Sequence, residues 1–470
     1  MKPAFTGCSL IVALGLMPSS VCAQKKGDAA LWLTTPDKSA LFERQKTVLH
    51  FAKSATPNPV IDVDDKQKFQ PIDGFGYALT GGSAQHMIRM DAAKRAALIK
   101  ELFADDGNNI GVSYLRVSIG ASDLNDHVFS YDDLPPGETD KEMSRFSLDP
   151  DRADVIPILK EILAVNPKIE ILGSPWSAPA WMKTNNNVKG GKLKPEYYDA
   201  YARYFVKYIQ GMKAEGIRID AITIQNEPLN EKNTPSLQML SADQDVFIKS
   251  HLGPAFHAAG IDTKIVLYDH NCDHPEYATA ILDDPEAAKY VDGSGFHLYG
   301  GKIDAMSGVH NSHPGKNLYF TEQMVTGSIE GRPTANVAAP VRRLIIGATR
   351  NWSRNVILWN LAADPKNNPH TDNGGCTMCQ GAITIDGNTV SRNVAYYAIA
   401  HAAKFVRPGS VRISSNDLDT LPNVAFQTPD KKTVLIVVNG AQAPQTFHIR
   451  YRAKLITPTL APGAVGTYIW

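Results

Sequence analysis

The sequence predicts an α/β chain: a (β/α)8 barrel with an attached β-sandwich built from both chain ends. Three observations carry this. From Gly74 to Phe405, apolar runs of strand length alternate with stretches of helical periodicity, and eight such runs occur. On either side of that region the runs are short and alternate apolar with polar, and helical signals are absent, as in antiparallel strands with one wet face. No low-complexity linker separates the regions, so the junction is expected to be rigid.

In chain order, residues 1–23 read as a signal peptide. Lys2 supplies the charge, Cys8 to Met17 the apolar run, and Val21-Cys22-Ala23 the small residues of a cleavage site, with the mature chain starting near Gln24. That run is too short to span a bilayer, and no other run can span one. The expectation is an exported protein, periplasmic or extracellular, and a monomer. Residues 24–72 hold N-terminal sandwich strands such as Val48–Phe51 and Val60–Val63. Residues 73–406 form the barrel. Residues 407–470 return to sandwich strands, the clearest being Val434–Asn439, Thr446–Tyr451 and Gly466–Trp470. The 48 basic and 48 acidic side chains balance, so nothing points to nucleic acid or an anionic membrane as partner.

The eight barrel strands are expected at Gly74–Thr80, Tyr114–Gly120, Ile169–Trp176, Ala221–Glu227, Lys264–His270, Gly293–Tyr299, Asn317–Glu322 and Asn355–Leu361. Helices are expected at Asp91–Phe103, Asp151–Val165, Pro195–Met212, Ala242–Ala259, Val337–Thr349 and Arg392–Phe405. The third of these carries Tyr197, Tyr201, Tyr204, Phe205 and Tyr208 at helical spacing, a stripe read as core. Two of the five cysteines, Cys8 and Cys22, lie in the signal. Cys376 and Cys379 sit in a loop after Asn373-Gly374-Gly375. In an oxidising compartment they can form a local disulfide; free thiols, a redox pair or a metal site are the alternatives, though no second Cys pair or nearby His pair completes a zinc site.

The chemistry gathers at the C-terminal strand tips, where parallel barrels build active sites. The fourth strand ends Gln225-Asn226-Glu227-Pro228 and the seventh ends Thr321-Glu322-Gln323. Two carboxyls at strand tips are the minimum machinery for cleaving an acetal: one protonates the leaving oxygen, the other stabilises or attacks the anomeric carbon. A lone Glu there would be read as the start of a solvated loop. Other tips add Trp176 and Trp181, divided between sugar stacking and plain core. Arg116 is expected to be buried and paired, and Asp123 lies on the loop after it. His297 and Tyr299 share one strand face at spacing two, and Trp359 closes the eighth strand. No His-x-His or carboxylate cluster at the first strand supports a metal-dependent hydrolase, and no metal or cofactor is expected.

Taken together, Gly74–Thr80, the Tyr114–Gly120 run with Ser122-Asp123, Ser174–Asn185, Gln225–Pro228 and Phe320–Glu322 resemble glycoside hydrolase family 30, the family of glucosylceramidase. The resemblance extends to Pro462–Val465 and the terminal Tyr-Ile-Trp. It implies a barrel with a two-ended sandwich, retention of anomeric configuration and no cofactor. It makes Glu227 the acid/base and Glu322 the nucleophile, and places Asn226, Asp123, Trp176, His297, Tyr299 and Trp359 around the bound sugar. Thr80-Gly81-Gly82 and the Gly374–Cys379 loop are more similar to microbial branches, some of which cut β-1,6-glucan. The expected activity is that of a retaining glucosylceramidase-like β-glucosidase acting on a β-glucoside, glucan or glycolipid. The alternatives are an endo-β-1,6-glucanase, an enzyme for xylose, fucose or galactose, and, from another class, a non-catalytic carbohydrate-binding protein.

Overall fold

The computed structural model describes Met1 and residues 28–52, 57–329, 332–333 and 336–470. Apart from Met1, the expected signal peptide lies outside the described residues. Among them, no helix is long and apolar enough to cross a membrane.

Eight parallel strands close a barrel in chain order: Gly74–Leu79, Tyr114–Ser118, Glu170–Ser174, Ala221–Thr223, Lys264–Cys272, Val291–Gly301, Asn317–Glu322 and Ser353–Leu358. All eight expected strands are present. Side chains alternate in and out along each strand, so residues two apart stack inside the barrel. The lower interior layer is Tyr114, Leu172, Ala221, Val266, Tyr319 and Ile357. Two residues further along their strands come Arg116, Ser174, Thr223 and Thr321, all fully buried. The barrel is therefore apolar below and polar immediately above, and the polar layer is the floor of the site.

The outer helices follow the expected periodicity with local departures. Asp91 caps the helix Ala92–Phe103 by accepting from the N–H groups of Ala93 and Lys94. The tyrosine stripe of the helix Tyr198–Ala214 is core: Tyr201, Tyr204 and Tyr208 are buried, and Tyr131 stacks on Tyr208 at 5.8 Å. The stretch expected as one helix over 242–259 is instead Ser241–Phe247, a wider π turn Ile248–Leu252, and Gly253–Ala258. Pro254 has no N–H to donate to the preceding turn, and the helix widens just before it. Arg392 ends a hairpin (Ile383–Asp386 with Thr389–Arg392), so the last barrel helix begins at Val394 and runs to Ala403. The short helices Gly81–Ile88, Pro275–Leu282, Pro285–Ala288 and Ala305–Ser312 escaped sequence reading because they are brief and open on Gly, Pro or Ala without a strong apolar stripe.

Both chain ends build the second unit. Its strands follow the order Glu43–Arg44, Asp28–Thr34, Val465–Ile469, Thr433–Val438, Asn423–Gln427, Val411–Ser415, Val60–Pro71, His448–Tyr451, Lys454–Ile456, with Leu49–His50 also on Asp28–Thr34. This is one curled sheet, not two separate ones. A bridge from Ala52 to Leu455 brings its two extremes together, and Ile61, Ile413, Leu435, Ile449 and Tyr468 fill the space enclosed. The junction with the barrel is buried: Phe75 of the first barrel strand meets Phe426 of the sheet in one continuous core. Cys272, at the end of the fifth barrel strand, is a buried free thiol that burial pushes up to about 12.

His401 pins this junction. It rises from the last barrel helix, fully buried, and its Nε2 and Nδ1 each lie 2.8 Å from a threonine hydroxyl, Thr34 and Thr467, on adjacent sheet strands. A neutral imidazole offers one donor and one acceptor to these partners. Burial holds its pKa down to about 3. The unfolded chain takes up the proton below its ordinary value of about 6.5, whereas the native state refuses it, so stability is lost as pH falls through that window. Between pH 7 and pH 5 the wild type should lose about 2 kcal/mol more than His401→Gln, read from urea unfolding at the two pH values. Equal losses would show that His401 does not couple the junction to pH.

Candidate active site

The site is organised around a buried arginine. Arg116 donates from Nη1 to Glu322 Oε2 at 2.5 Å and from Nη2 to Asp269 Oδ2 and Asn226 Oδ1, both at 2.8 Å, and to Ser174 Oγ at 3.1 Å. Asp269 also accepts from Thr321 (2.6 Å), Thr223 (2.7 Å) and Ser174 (2.9 Å) and faces His297 Nε2 at 3.0 Å. Six consecutive strands, the second to the seventh, thus share one ionic centre with no solvent exposure at Arg116 or Asp269. Although burial alone would raise Asp269, the Arg116 charge and the His297 bond hold its carboxyl far below the usual range.

Asp269 reaches this place through an irregular backbone. Val266 points inward, so strict alternation would turn Asp269 out. Tyr268 and Asp269 instead adopt φ of +70° and +65°, and the pairing with the sixth strand slips at this point. Gly295, across from it, leaves the room: a Cβ there would stand 3.1 Å from Thr321 and 3.4 Å from the Asp269 backbone.

The two glutamates sit above this centre. The fourth strand ends at Thr223, four residues short of Glu227, which takes a left-handed φ of +46° with its N–H bonded to the Asp269 carbonyl (2.9 Å). A carboxylate-bearing residue in that conformation is uncommon and marks a place where the surrounding structure dictates the backbone. Glu227 Oε1 meets His297 Nδ1 at 3.1 Å and Oε2 accepts from Asn230 at 2.6 Å. Glu322 takes Arg116 on one oxygen and the Tyr299 hydroxyl (3.0 Å) on the other. One carboxylate oxygen from each glutamate and a nitrogen of His297 lie within 4.8 Å of one another. On paper this is a set of metal donors. Both nitrogens of His297 are already engaged, however, and the Arg116 guanidinium occupies the approach to Glu322, so the arrangement suits proton transfer and not a cation.

The glutamate environments differ. Burial pushes Glu227 up, but the bond to and charge of His297 outweigh it and bring the carboxyl down to about 2, while burial outweighs His297 and Arg116 at Glu322 and raises it. Burial would lower His297, but Glu322, Asp269 and Glu227 carry it up to about 9. Glu227 and His297 therefore hold one proton between them, resting on the imidazole. Asp123, 5% exposed, is pushed up to about 8 by burial and by the charges of Glu322 and Glu227.

Asn226, Asp123, Arg116, Trp176, His297, Tyr299 and Trp359 gather around the two glutamates, and Trp181 does not. Trp176 and Trp359 are 2% and 3% exposed; their rings lie 5.2 Å apart and cover Arg116, whose guanidinium carbon is 4.8 Å from the Trp176 centroid. Tyr299, 43% exposed, offers the open aromatic face. Trp181 belongs to the core, its N–H bonded to the Asp132 carbonyl. Cys376 and Cys379 are joined as a disulfide beside the two tryptophans. Sequence reading missed Asp269, Asn230 and the second imidazole, His270, which is buried against the Glu227 side with no partner for Nδ1 among the described residues and is pushed down to about 4 by burial. The i+2 rule above the apolar layer was the available signal for Ser174, Thr223 and Thr321.

A parallel barrel with paired carboxyls at its C-terminal mouth, over an arginine and between aromatic walls, defines an O-glycosidase. Comparison with known proteins gives the particular kind. The model for the glycosyl hydrolase family 30 TIM-barrel domain matches residues 72–406, and that for the family 30 beta sandwich domain matches 409–468. The chain belongs to glycoside hydrolase family 30. It is 34% identical over 395 residues to endo-1,6-beta-D-glucanase neg1 of Aspergillus fumigatus, covering 79% of this chain and 78% of that protein. It is 28% identical over 444 residues to the lysosomal acid glucosylceramidase of Mus musculus, 87% of this chain and 83% of that one. The solved structure of the endo-beta1,6-glucanase BT3312 superposes with a TM-score of 0.87 at 34% identity, over 94% of this chain and 99% of that one.

The charge pattern sets a pH profile. Raising pH through about 8 ionises Asp123, adding a negative charge beside both glutamates, and raising it through about 9 strips the proton that His297 and Glu227 share. kcat/KM, which reports the free enzyme, should fall on the alkaline side from about pH 8. Asp123→Asn should move that limb up toward about 9. A limb that stays in place would assign it to another group.

Proposed function

We propose that this chain is an exported, endo-acting, retaining glycosidase that cleaves β-1,6-glucosidic bonds. The observation that carries the mechanism is the short separation of the Glu227 and Glu322 carboxyls, within 4.8 Å between their nearest ligand-type oxygens. Retaining enzymes hold the pair about 5–5.5 Å apart and inverting enzymes about 6.5–9.5 Å, leaving room for a water. The substrate follows from likeness. The endo-1,6-beta-glucanases stand at 33–35% identity and the glucosylceramidases at 27–29%, so the glucan is favoured over the glycolipid that the resemblance in sequence motifs had placed first.

In the first step Glu322 attacks the anomeric carbon, oriented by Arg116 and Tyr299 on its two oxygens. Glu227 gives a proton to the departing oxygen, and a covalent glycosyl ester forms on Glu322. A β-1,6 bond releases a primary alcohol, a poor leaving group, so this proton matters more than for an aryl glycoside. His297, 3.1 Å from Glu227, supplies the proton when substrate displaces water. In the second step Glu227 takes a proton from water, which attacks the ester from the opposite face. Asn226, Asp123, Trp176, Trp359 and Arg116 position the sugar and the nucleophile. Residues 1–23 direct export, and the chain acts as a monomer.

Purified protein should release a mixture of oligosaccharides from β-1,6-glucan early in the reaction, with the β anomer first by NMR. Glucosylceramide should be a poorer substrate. Glu227→Ala should lose about 10²–10⁴-fold on glucan, less on an aryl glucoside with an acidic phenol, and regain turnover with azide as the β-glycosyl azide. Glu322→Ala should stall even on the aryl glucoside and give the α adduct from an activated β substrate. An α anomer from the wild type would mean inversion. Preference for glucosylceramide would restore the lipid reading, and exchanged azide products would reverse the two roles.

A further inference from the structure

We propose that the Cys376–Cys379 disulfide positions the sugar-binding wall of the cleft, setting how tightly substrate is held and not how fast the bond breaks. This rests on the glycosidase reading of the cleft but not on the choice of glucan. The loop that follows the eighth strand touches Asp123 twice. Thr371 donates to the Asp123 carbonyl from its N–H at 2.9 Å and from its hydroxyl at 3.5 Å, and the backbone N–H of Cys376 lies near enough to the Asp123 carboxyl to draw its pKa down. Gly375 between them allows the approach, since a Cβ there would stand 2.3 Å from the Thr371 carbonyl oxygen and 3.0 Å from that of Asp123.

The sulfurs face the other wall. Cys379, 3% exposed, packs with Trp176, Trp359, Ala78 and Leu124, and its sulfur lies 3.4 Å from that of Met324. Met324 in turn donates its backbone N–H to the Tyr299 hydroxyl at 2.9 Å. On the outer side, Asn373 accepts through its carbonyl from Lys189 Nζ and Thr234 Oγ1, both at 2.6 Å, anchoring the loop to the rims of the third and fourth strands. One covalent clip thus sits between Asp123, the paired tryptophans and Tyr299.

A ring this short removes little entropy from the unfolded chain compared with the long loops that disulfides usually close. Its main effect is local: it fixes the path on which the Cys376 N–H reaches Asp123 while Cys379 stays under the indoles. Opening it frees both contacts, and substrate must then order the wall at the expense of binding energy. Glu227, Glu322 and Asp269 make no direct contact with the clip: it reaches Glu322 through Met324 and Tyr299, and Arg116 through the tryptophans, while the direct bonds of Arg116 to Glu322 and Asp269 are made without it.

The test measures kcat and KM on short β-1,6-gluco-oligosaccharides and on an aryl β-glucoside, for wild type, for wild type reduced by dithiothreitol, and for Cys376→Ser/Cys379→Ser. Dithiothreitol delivers two electrons and two protons to the disulfide, giving two thiols and its own cyclic disulfide; oxidised glutathione reverses the change. KM should rise about fivefold or more on opening, with kcat kept within about twofold, and recover on reoxidation. The double variant should behave as the reduced enzyme and ignore the reductant. Unchanged KM in protein whose two thiols are shown free by alkylation would overturn the proposal, as would a fall in kcat alone. Should the double variant fail to fold, the reduction arm decides. Turnover of the aryl glucoside without the oligosaccharides would sink the β-1,6 reading and leave the clip to be judged on the aryl substrate.

Discussion

The ion pair between Arg116 and Asp269 is what the rest of the site depends on. Both side chains are wholly removed from solvent, and a lone charge at that depth would cost several kcal/mol. They are tolerable only together, and only with every remaining valence met. Ser174, Thr223, Thr321, His297, Asn226 and Glu322 supply those partners from strand tips across the barrel. The requirement runs in both directions. The barrel must close for the partners to converge, and the convergence fixes each strand tip to within a hydrogen bond. The glutamates inherit this precision, Glu322 through the arginine and Glu227 through the histidine and the Asp269 carbonyl.

Charge then divides the labour. Four carboxyls, Asp123, Glu227, Asp269 and Glu322, share two cations, Arg116 and His297. Asp269 bonds to both and stays ionised, and Asp123 keeps its proton. The one mobile proton is left on the Glu227–His297 side, and the guanidinium lies on the Glu322 side. The two glutamates are thus set apart by their neighbours in a single ring of contacts, which is what the proposed split into acid and nucleophile requires.

The architecture was legible because burial writes itself into sequence. Fully buried parallel strands read as apolar runs, and abrupt polarity at their ends, as in Ile224-Gln225-Asn226-Glu227, marks the mouth. What stayed hidden needed backbone geometry that period counting assumes away. Asp269 follows the run Ile265-Val266-Leu267-Tyr268 at a position that alternation turns outward, and only an irregular backbone brings it in. The tryptophans were correctly placed at the mouth, but their cover over Arg116 depends on side chains from strands far apart in the chain. The sandwich strands were found at both ends, whereas their order in one curled sheet follows from pairings no local pattern encodes.

That sheet has a consequence for how the molecule comes into being. Asp28–Thr34 takes its central partner from Val465–Ile469, more than four hundred residues further along the chain. A pairing so remote in sequence contributes nothing until the intervening segment has been synthesised, and it forms late and slowly. Until then an early strand with apolar Ala29, Trp32 and Leu33 is without its mate, beside a barrel whose flank, at Phe75 and Val341, awaits the same sheet. The nascent chain is therefore vulnerable to aggregation throughout its production, and a chaperone that shields that strand would raise yield without touching the finished enzyme.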